Sequence, residues 1–373
     1  MNKTIIWLIV IIVVIAGIWW GVSRKPTKEE VIKIGAILPL TGNVASYGQS
    51  AKNAIELAVN EINSQGGIKG RLLQIIYEDG KCNGKEASTA AHKLIEVDKV
   101  KIILGGECSA EVLAEAPITE ANKVILFSSF ASHPDITNAG DYVFRNMVND
   151  LQGGRDAARM IKEKKVAALV ESTEYAQALE KVFKEELEKL GKMIIAEENY
   201  NPGEKDFRSH LIKIKKKKPE AIFVNCQNGI SGGLAVKQIR EMGLEIPIYS
   251  MIVFSGKDAL SAAGEAADGV IFADAPGLNK NNPKAVEFLN RYKEKYGEPA
   301  NEYLVGAKYD AVYLIANALK KCNEDTDCIR DYLYGVEEYN GVIGKYRFDK
   351  NGDIEGLRYV IKKVVDGQPI EIE

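Results

Sequence analysis

IGAILPLTGNVASYGQSAKNAIELAVNEINSQGGIKG, residues 34–70, decides the fold. Together with Ile32 and Lys33 it opens on the run IKIGAIL, which Pro39 closes. A run this apolar suits a strand buried on both faces, as in a parallel sheet. From Gln49 to Ile62 the period changes: Ala54, Leu57, Ala58 and Ile62 fall on one helical face, and Gly66-Gly67 ends the helix.

The alternation continues outward. Strands are expected at LLQIIYE (72–78), KIILGG (101–106) and VILFSS (124–129), with helices at 85–97 and 110–121 between them. After Asn149 it restarts, with helices at 151–164, 175–190, 207–218 and 231–242. The strands of this second set are VAALVES (166–172), MIIAEENY (193–200), AIFVNC (221–226), IPIYSM (246–251) and GVIFADA (269–275). Two serial sets of strand–helix units predict an α/β fold with two open, mostly parallel sheets. Helices at 283–296, 302–321 and 326–335, and strands near 344–348 and 357–365, are too few for a third core, so the chain crosses between lobes more than once. Ligands of such sheets sit beyond the carboxyl ends of strands, and two lobes bring those ends to one cleft.

Composition agrees with this picture. The chain has 373 residues, 46% apolar and 27% charged, enough for two or three globular domains of about 150 residues each. The net charge of −3 gives no basic surface for nucleic acid. Residues 1–30 stand apart. Ile5 to Val22 is uncharged, and as a helix would span about 27 Å, enough for a bilayer core. With Trp19 and Trp20 at its end, it is expected to be an N-terminal transmembrane anchor followed by a polar tether; a cleaved signal peptide is the alternative.

Catalytic and metal motifs are missing. There is no G-x-x-x-x-G-K-[ST], G-x-G-x-x-G or G-x-S-x-G, and His92, His133 and His210 have no metal-ligand spacing. DKNGD (349–353) lacks the glycine and glutamate of a calcium loop and reads as a hairpin turn. The lysines of 213–218 read as a solvated helix end. What remains is a pair of serines at strand ends. Ser109 follows KIILGG, and Ser132 follows VILFSS. Each is either a helix or turn cap, or a hydroxyl set beside free amides where a carboxylate would bind.

Residues 31 to about 365 resemble the leucine/isoleucine/valine-binding family of extracytoplasmic solute receptors for ATP-driven importers. The resemblance is carried by 34–70, YEDGKCN (77–83), GGECSAE (105–111), SSFASHPDIT (128–137), ESTEYAQ (171–177), GEKDF (203–207) and AGEAADGVIFADAP (263–276). It implies a type I periplasmic-binding fold of two Rossmann-like lobes joined by a three-crossover hinge. Residues 31–148 with 276–345 would form one lobe, and 149–275 with 346–373 the other. By the same resemblance Ser109 binds a ligand carboxylate, Phe130, Ala131 and Ser132 complete that cradle, and Tyr47 and Tyr175 are cleft tyrosines from the two lobes. The chain departs from the family twice. Ile252 in SMIVFSG stands where an acid usually meets the ligand ammonium, and Gln227 or Asn228 replaces a cleft aromatic. A desolvated ammonium needs a counter-charge. Either Glu107, Glu171, Glu174 or Asp274 supplies it, or the ligand is an apolar carboxylate or an amide; the alternative for each glutamate is a solvated loop. The family also implies a Cys82–Cys108 disulfide. Cys322 and Cys328 bracket a helix–helix turn, a spacing open to a second bridge or to two free thiols, which leaves Cys226 as a buried thiol.

The expectation is therefore a membrane-tethered, extracytoplasmic receptor without cofactor, metal or catalytic role. It would bind an amino acid or related carboxylate or amide and partner an ABC transporter permease. A ligand-sensing ectodomain is the rival function, and a body secreted after cleavage the rival location.

Overall fold

The computed structural model describes residues 31–278 and 281–372. The expected membrane span at Ile5 to Val22 lies outside the described residues. Among those described, no helix is long and apolar enough to cross a membrane.

The first sheet is built from β1 (Val31–Leu38), β2 (Leu72–Asp79), β3 (Ile102–Leu104), β4 (Ile125–Ser128) and β5 (Val143–Arg145). All of its pairings are parallel, in the order β2-β1-β3-β4-β5. The second contains β6 (Lys165–Glu171), β7 (Met193–Tyr200), β8 (Ala221–Asn225), β9 (Ile248–Met251) and β10 (Ile271–Asp274). Counted from its far edge these run β7-β6-β8-β9-β10, again parallel, which repeats the order of the first sheet. A short antiparallel sheet follows, made of β11 (Tyr339–Asn340), β12 (Lys345–Phe348) and β13 (Ile354–Glu355). Finally β14 (Val360–Val365) pairs antiparallel with β10, and β15 (Gln368–Glu371) pairs antiparallel with β14, extending the second sheet.

The unbroken apolar runs are explained by cover on both faces. β1 is buried at every position from Ile34 to Leu38. On one side of the first sheet lie the helices Ala45–Ser64 and Glu302–Cys322; on the other lie Gly84–His92 and Ser109–Ala121, packed over Ile37, Ile103 and Leu126. In each sheet the strand order reverses at one point, between β1 and β3 and between β6 and β8. Beyond the carboxyl ends of strands at such a point a crevice opens where ligands bind.

The expected lobe boundary at 345/346 is corrected. β12 stays with the first lobe because Tyr346 and Phe348 are buried on one face of the strand. Phe348 stacks edge-on against Phe127 and Phe144, at 5.7 and 5.4 Å between ring centres. The DKNGD turn is also pinned there: Arg145 Nη2 lies 2.9 Å from Asp353 Oδ2, and Arg145 N donates to Gly352 O. The chain crosses to the second lobe only after Glu355, where β14 joins β10.

Both disulfides are formed, Cys82–Cys108 and Cys322–Cys328, and Cys226 is a buried free thiol.

Candidate functional site

The ends of β1, β3 and β4 face those of β6, β8 and β9 across a cavity of about 40 Å³. From the first lobe it is lined by Pro39, Val44, Tyr47, Glu107, Cys108, Ser109, Phe130 and Ser132; from the second by Tyr175, Gln227, Ile252 and Val253. The lobes touch at the rim. Ser46 Oγ donates to Asp258 Oδ2, and Asn228 Nδ2 donates to the carbonyl of Asn43, each at 2.5 Å.

Local chemistry sets these positions. The helix bearing Tyr47 passes so close to Pro39 that a Cβ on Gly48 would lie 2.1 Å from the Pro39 carbonyl oxygen. After β3 the chain turns sharply at Gly106, whose φ of +48° favours glycine. Ser109 then opens its helix, with Cys108 at the cap. Glu111 completes that turn by accepting from the backbone N–H groups of Cys82 at 2.9 Å and of Glu107 and Cys108 at 3.1 Å. Burial lifts the Glu111 carboxyl to about 7, against the pull of those amides.

Several polar atoms at the cavity are buried without a hydrogen-bond partner in the chain: the hydroxyls of Tyr47, Ser109 and Tyr175, and Glu107 Oε2. A buried polar atom left unpaired costs about 1–3 kcal/mol, so such a set marks a place where a ligand or water completes the bonding. Burial pushes both tyrosine hydroxyls well above their ordinary range, which keeps them as neutral donors.

The site residues expected from sequence sort unevenly. Tyr47, Ser109, Phe130, Ser132, Tyr175 and Ile252 all line the cavity, and Tyr47 and Phe130 pack ring to ring at 5.6 Å. The Ser132 hydroxyl, however, is spent on Asp150 Oδ2 at 2.8 Å. Ala131 is buried on the far face of the first sheet. Asn228 caps the helix Gly229–Glu241 through Ser231 N at 3.0 Å, and Gln227 beside it faces the cavity instead.

The four candidate ammonium partners separate by environment. Glu171 accepts from the backbone of Gln227 at 2.7 Å and of Asn228 at 2.9 Å, closing the β8 end. Asp274 is paired with Lys362 at 2.8 Å. Glu174 is exposed in the first turn of its helix. Glu107 alone of the four lines the cavity, with Lys308 Nζ 2.7 Å from its Oε1 and both side chains almost fully buried. Burial raises the Glu107 carboxyl and Lys308 opposes that rise. Lys308 had no place in the sequence reading. Its one signal is a lysine amid the apolar run YLVGAKYDAVYLI (303–315).

Comparison with known proteins gives a consistent result. Residues 31–367 match the family described as periplasmic binding protein. The leucine-, isoleucine-, valine-, threonine-, and alanine-binding protein of Pseudomonas aeruginosa is 27% identical over 347 residues, covering 91% of this chain and 92% of that protein. Among solved structures, the branched-chain amino acid transporter substrate binding protein of Streptococcus pneumoniae in complex with isoleucine superimposes with a TM-score of 0.82. It is 28% identical, with 92% of this chain and 100% of that one covered. An ABC transporter solute binding protein of Rhodopseudomonas palustris in complex with 3,4-dihydroxy benzoic acid gives 0.81 at 28% identity, covering 92% and 96%.

Proposed function

The chain belongs to the periplasmic binding protein family, and from that premise we propose that it is the extracytoplasmic receptor of an ABC importer. It captures a small apolar amino acid, or a related carboxylate or amide, between its lobes and presents the closed form to a transmembrane permease. The observation that carries this reading is the cavity itself, with unpartnered hydroxyls from both lobes, Tyr47 and Ser109 on one side and Tyr175 on the other. A ligand touching both lobes stabilises the closed form over the open one, which is the whole mechanism: population shift by differential contact. The relatives' ligands, isoleucine and a dihydroxybenzoate, share a carboxylate on an apolar body. Ser109, at the first position of its helix, suits that carboxylate, and Ile252, Val253 and Val44 suit the body.

Residues 5–22 tether the receptor to the membrane, a reading supported by their uncharged length and terminal tryptophans. Fractionation of cells expressing the full chain tests the tether: it should stay with the membrane after a carbonate wash.

A thermal-shift screen of the full chain against the twenty amino acids, their amides and apolar carboxylates tests the receptor. A ligand at 100 times its Kd adds about 2.7 kcal/mol, a rise of a few degrees. No shift with any member would contradict the reading.

A further inference from the structure

The second lobe offers the cavity no charge. Its lining is Tyr175, Gln227, Ile252 and Val253. Its nearby acids, Glu171, Asp258 and Asp274, are bonded elsewhere, as is Asp150 at the crossing, which accepts from Ser132 and Tyr359. The first lobe offers one carboxylate, Glu107, and it is only half used. Oε1 faces Lys308 Nζ at 2.7 Å, while Oε2 is buried without a partner in the chain. Two residues on, Ser109 Oγ is likewise unpartnered at the helix start.

Resting on the receptor reading above, we propose that Glu107, steadied by Lys308, takes the ligand's ammonium, so that a small α-amino acid places its whole charged head on the first lobe. The second lobe then contributes an apolar wall, one tyrosine hydroxyl and the amide of Gln227, whose Nε2 donates to Cys82 Sγ at 2.7 Å. Charge arithmetic permits this. Glu107 and Lys308 cancel when the site holds no ligand, and a zwitterion adds no net charge. An ammonium-free carboxylate would satisfy the hydroxyls of Ser109, Tyr47 and Tyr175, all of which can donate, but would leave Glu107 Oε2 buried with no donor. Neighbouring acids do not compete. Glu111 is filled by three backbone amides, and Glu115, fully buried, is absent from the lining. Because that wall excludes water, the ammonium–carboxylate contact acts in a low dielectric, where it discriminates strongly.

Calorimetric titration of the full chain with leucine and alanine, and with their amine-free counterparts 4-methylpentanoate and propionate, tests this directly. In the wild type an amino acid should bind at least thirtyfold more tightly than its counterpart. Glu107→Gln should remove most of that preference, by weakening the amino acid and, through the Lys308 charge it leaves uncompensated, by tightening the anionic counterpart. Since Glu107→Gln strands the Lys308 charge, the double variant Glu107→Gln/Lys308→Met, which removes both charges, serves as the second test and should lose the preference equally. Retention of wild-type leucine or alanine affinity in the folded double variant would overturn the proposal. Equal binding of the amine-free ligands by the wild type would overturn it too. If benzoate binds and neither amino acid does, the receptor reading stands and this inference falls. If nothing in the screen binds, both fall.

Discussion

The two lobes share one strand order but were given different work. The first is closed by both disulfides and supplies the polar head of the cavity: Glu107 with Lys308, Ser109 and Tyr47. The second has a free, buried Cys226, no disulfide among the described residues, and an apolar facing wall of Ile252 and Val253. The difference teaches that recognition and closure are separable here. On the reading proposed above, the disulfide-closed lobe would read the ligand's charged atoms, and the other lobe would close over it to exclude water. Preorganising the reading half limits the ordering cost on binding.

That contrast is broken most severely by removing the staple nearest the site. Cys82→Ala with Cys108→Ala opens a loop of 26 residues, an expected loss of about 3.5 kcal/mol in urea unfolding. Because Cys108 caps the helix that presents Ser109, ligand affinity should fall with it. The short Cys322–Cys328 loop, with a separation of 6, should cost about 2 kcal/mol and leave affinity alone.

Acidity comes next. Burial lifts Glu111 and Asp310 in the first lobe, Asp150 at the crossing and Glu180 in the second lobe, each to about 7. Their folded pKa values exceed those of the unfolded chain, so between about pH 4 and 7 the folded state keeps protons that the unfolded state has released. Stability should therefore fall as pH rises through that window, by up to about 1.4 kcal/mol per pH unit for each group. A melting temperature higher at pH 5 than at pH 8 is expected. Glu111→Gln should flatten the slope more than any exposed Glu→Gln change does.

Smaller changes sharpen the division of labour. Ser109→Ala should weaken leucine binding about tenfold, the worth of one hydrogen bond to a charged group. Ile252→Ala should weaken leucine about fivefold by lost apolar contact and barely change alanine. Asn228→Ala removes a rim bond to Asn43 and should chiefly speed ligand release, by a few-fold in stopped flow.

How far the sequence was legible follows from what is local. Strand runs, helix stops at glycines and serines at strand ends are local signals, and they located both sheets and the cavity-lining serines. Partners distant in sequence are not local. Nothing near Ser132 announces that Asp150 claims its hydroxyl, nothing near Lys308 points to Glu107, and the aromatic face of β12 reads alike whichever lobe receives it. Asn228 caps its helix, a role asparagine favours, and that signal is local.

Hydrogen exchange of the full chain, with and without leucine, tests capture between lobes most directly. The account predicts that ligand slows exchange at 43–48 and 107–112 in the first lobe and, together with these, at 227–231 and 252–258 in the second. Protection confined to one lobe while leucine is bound would contradict it.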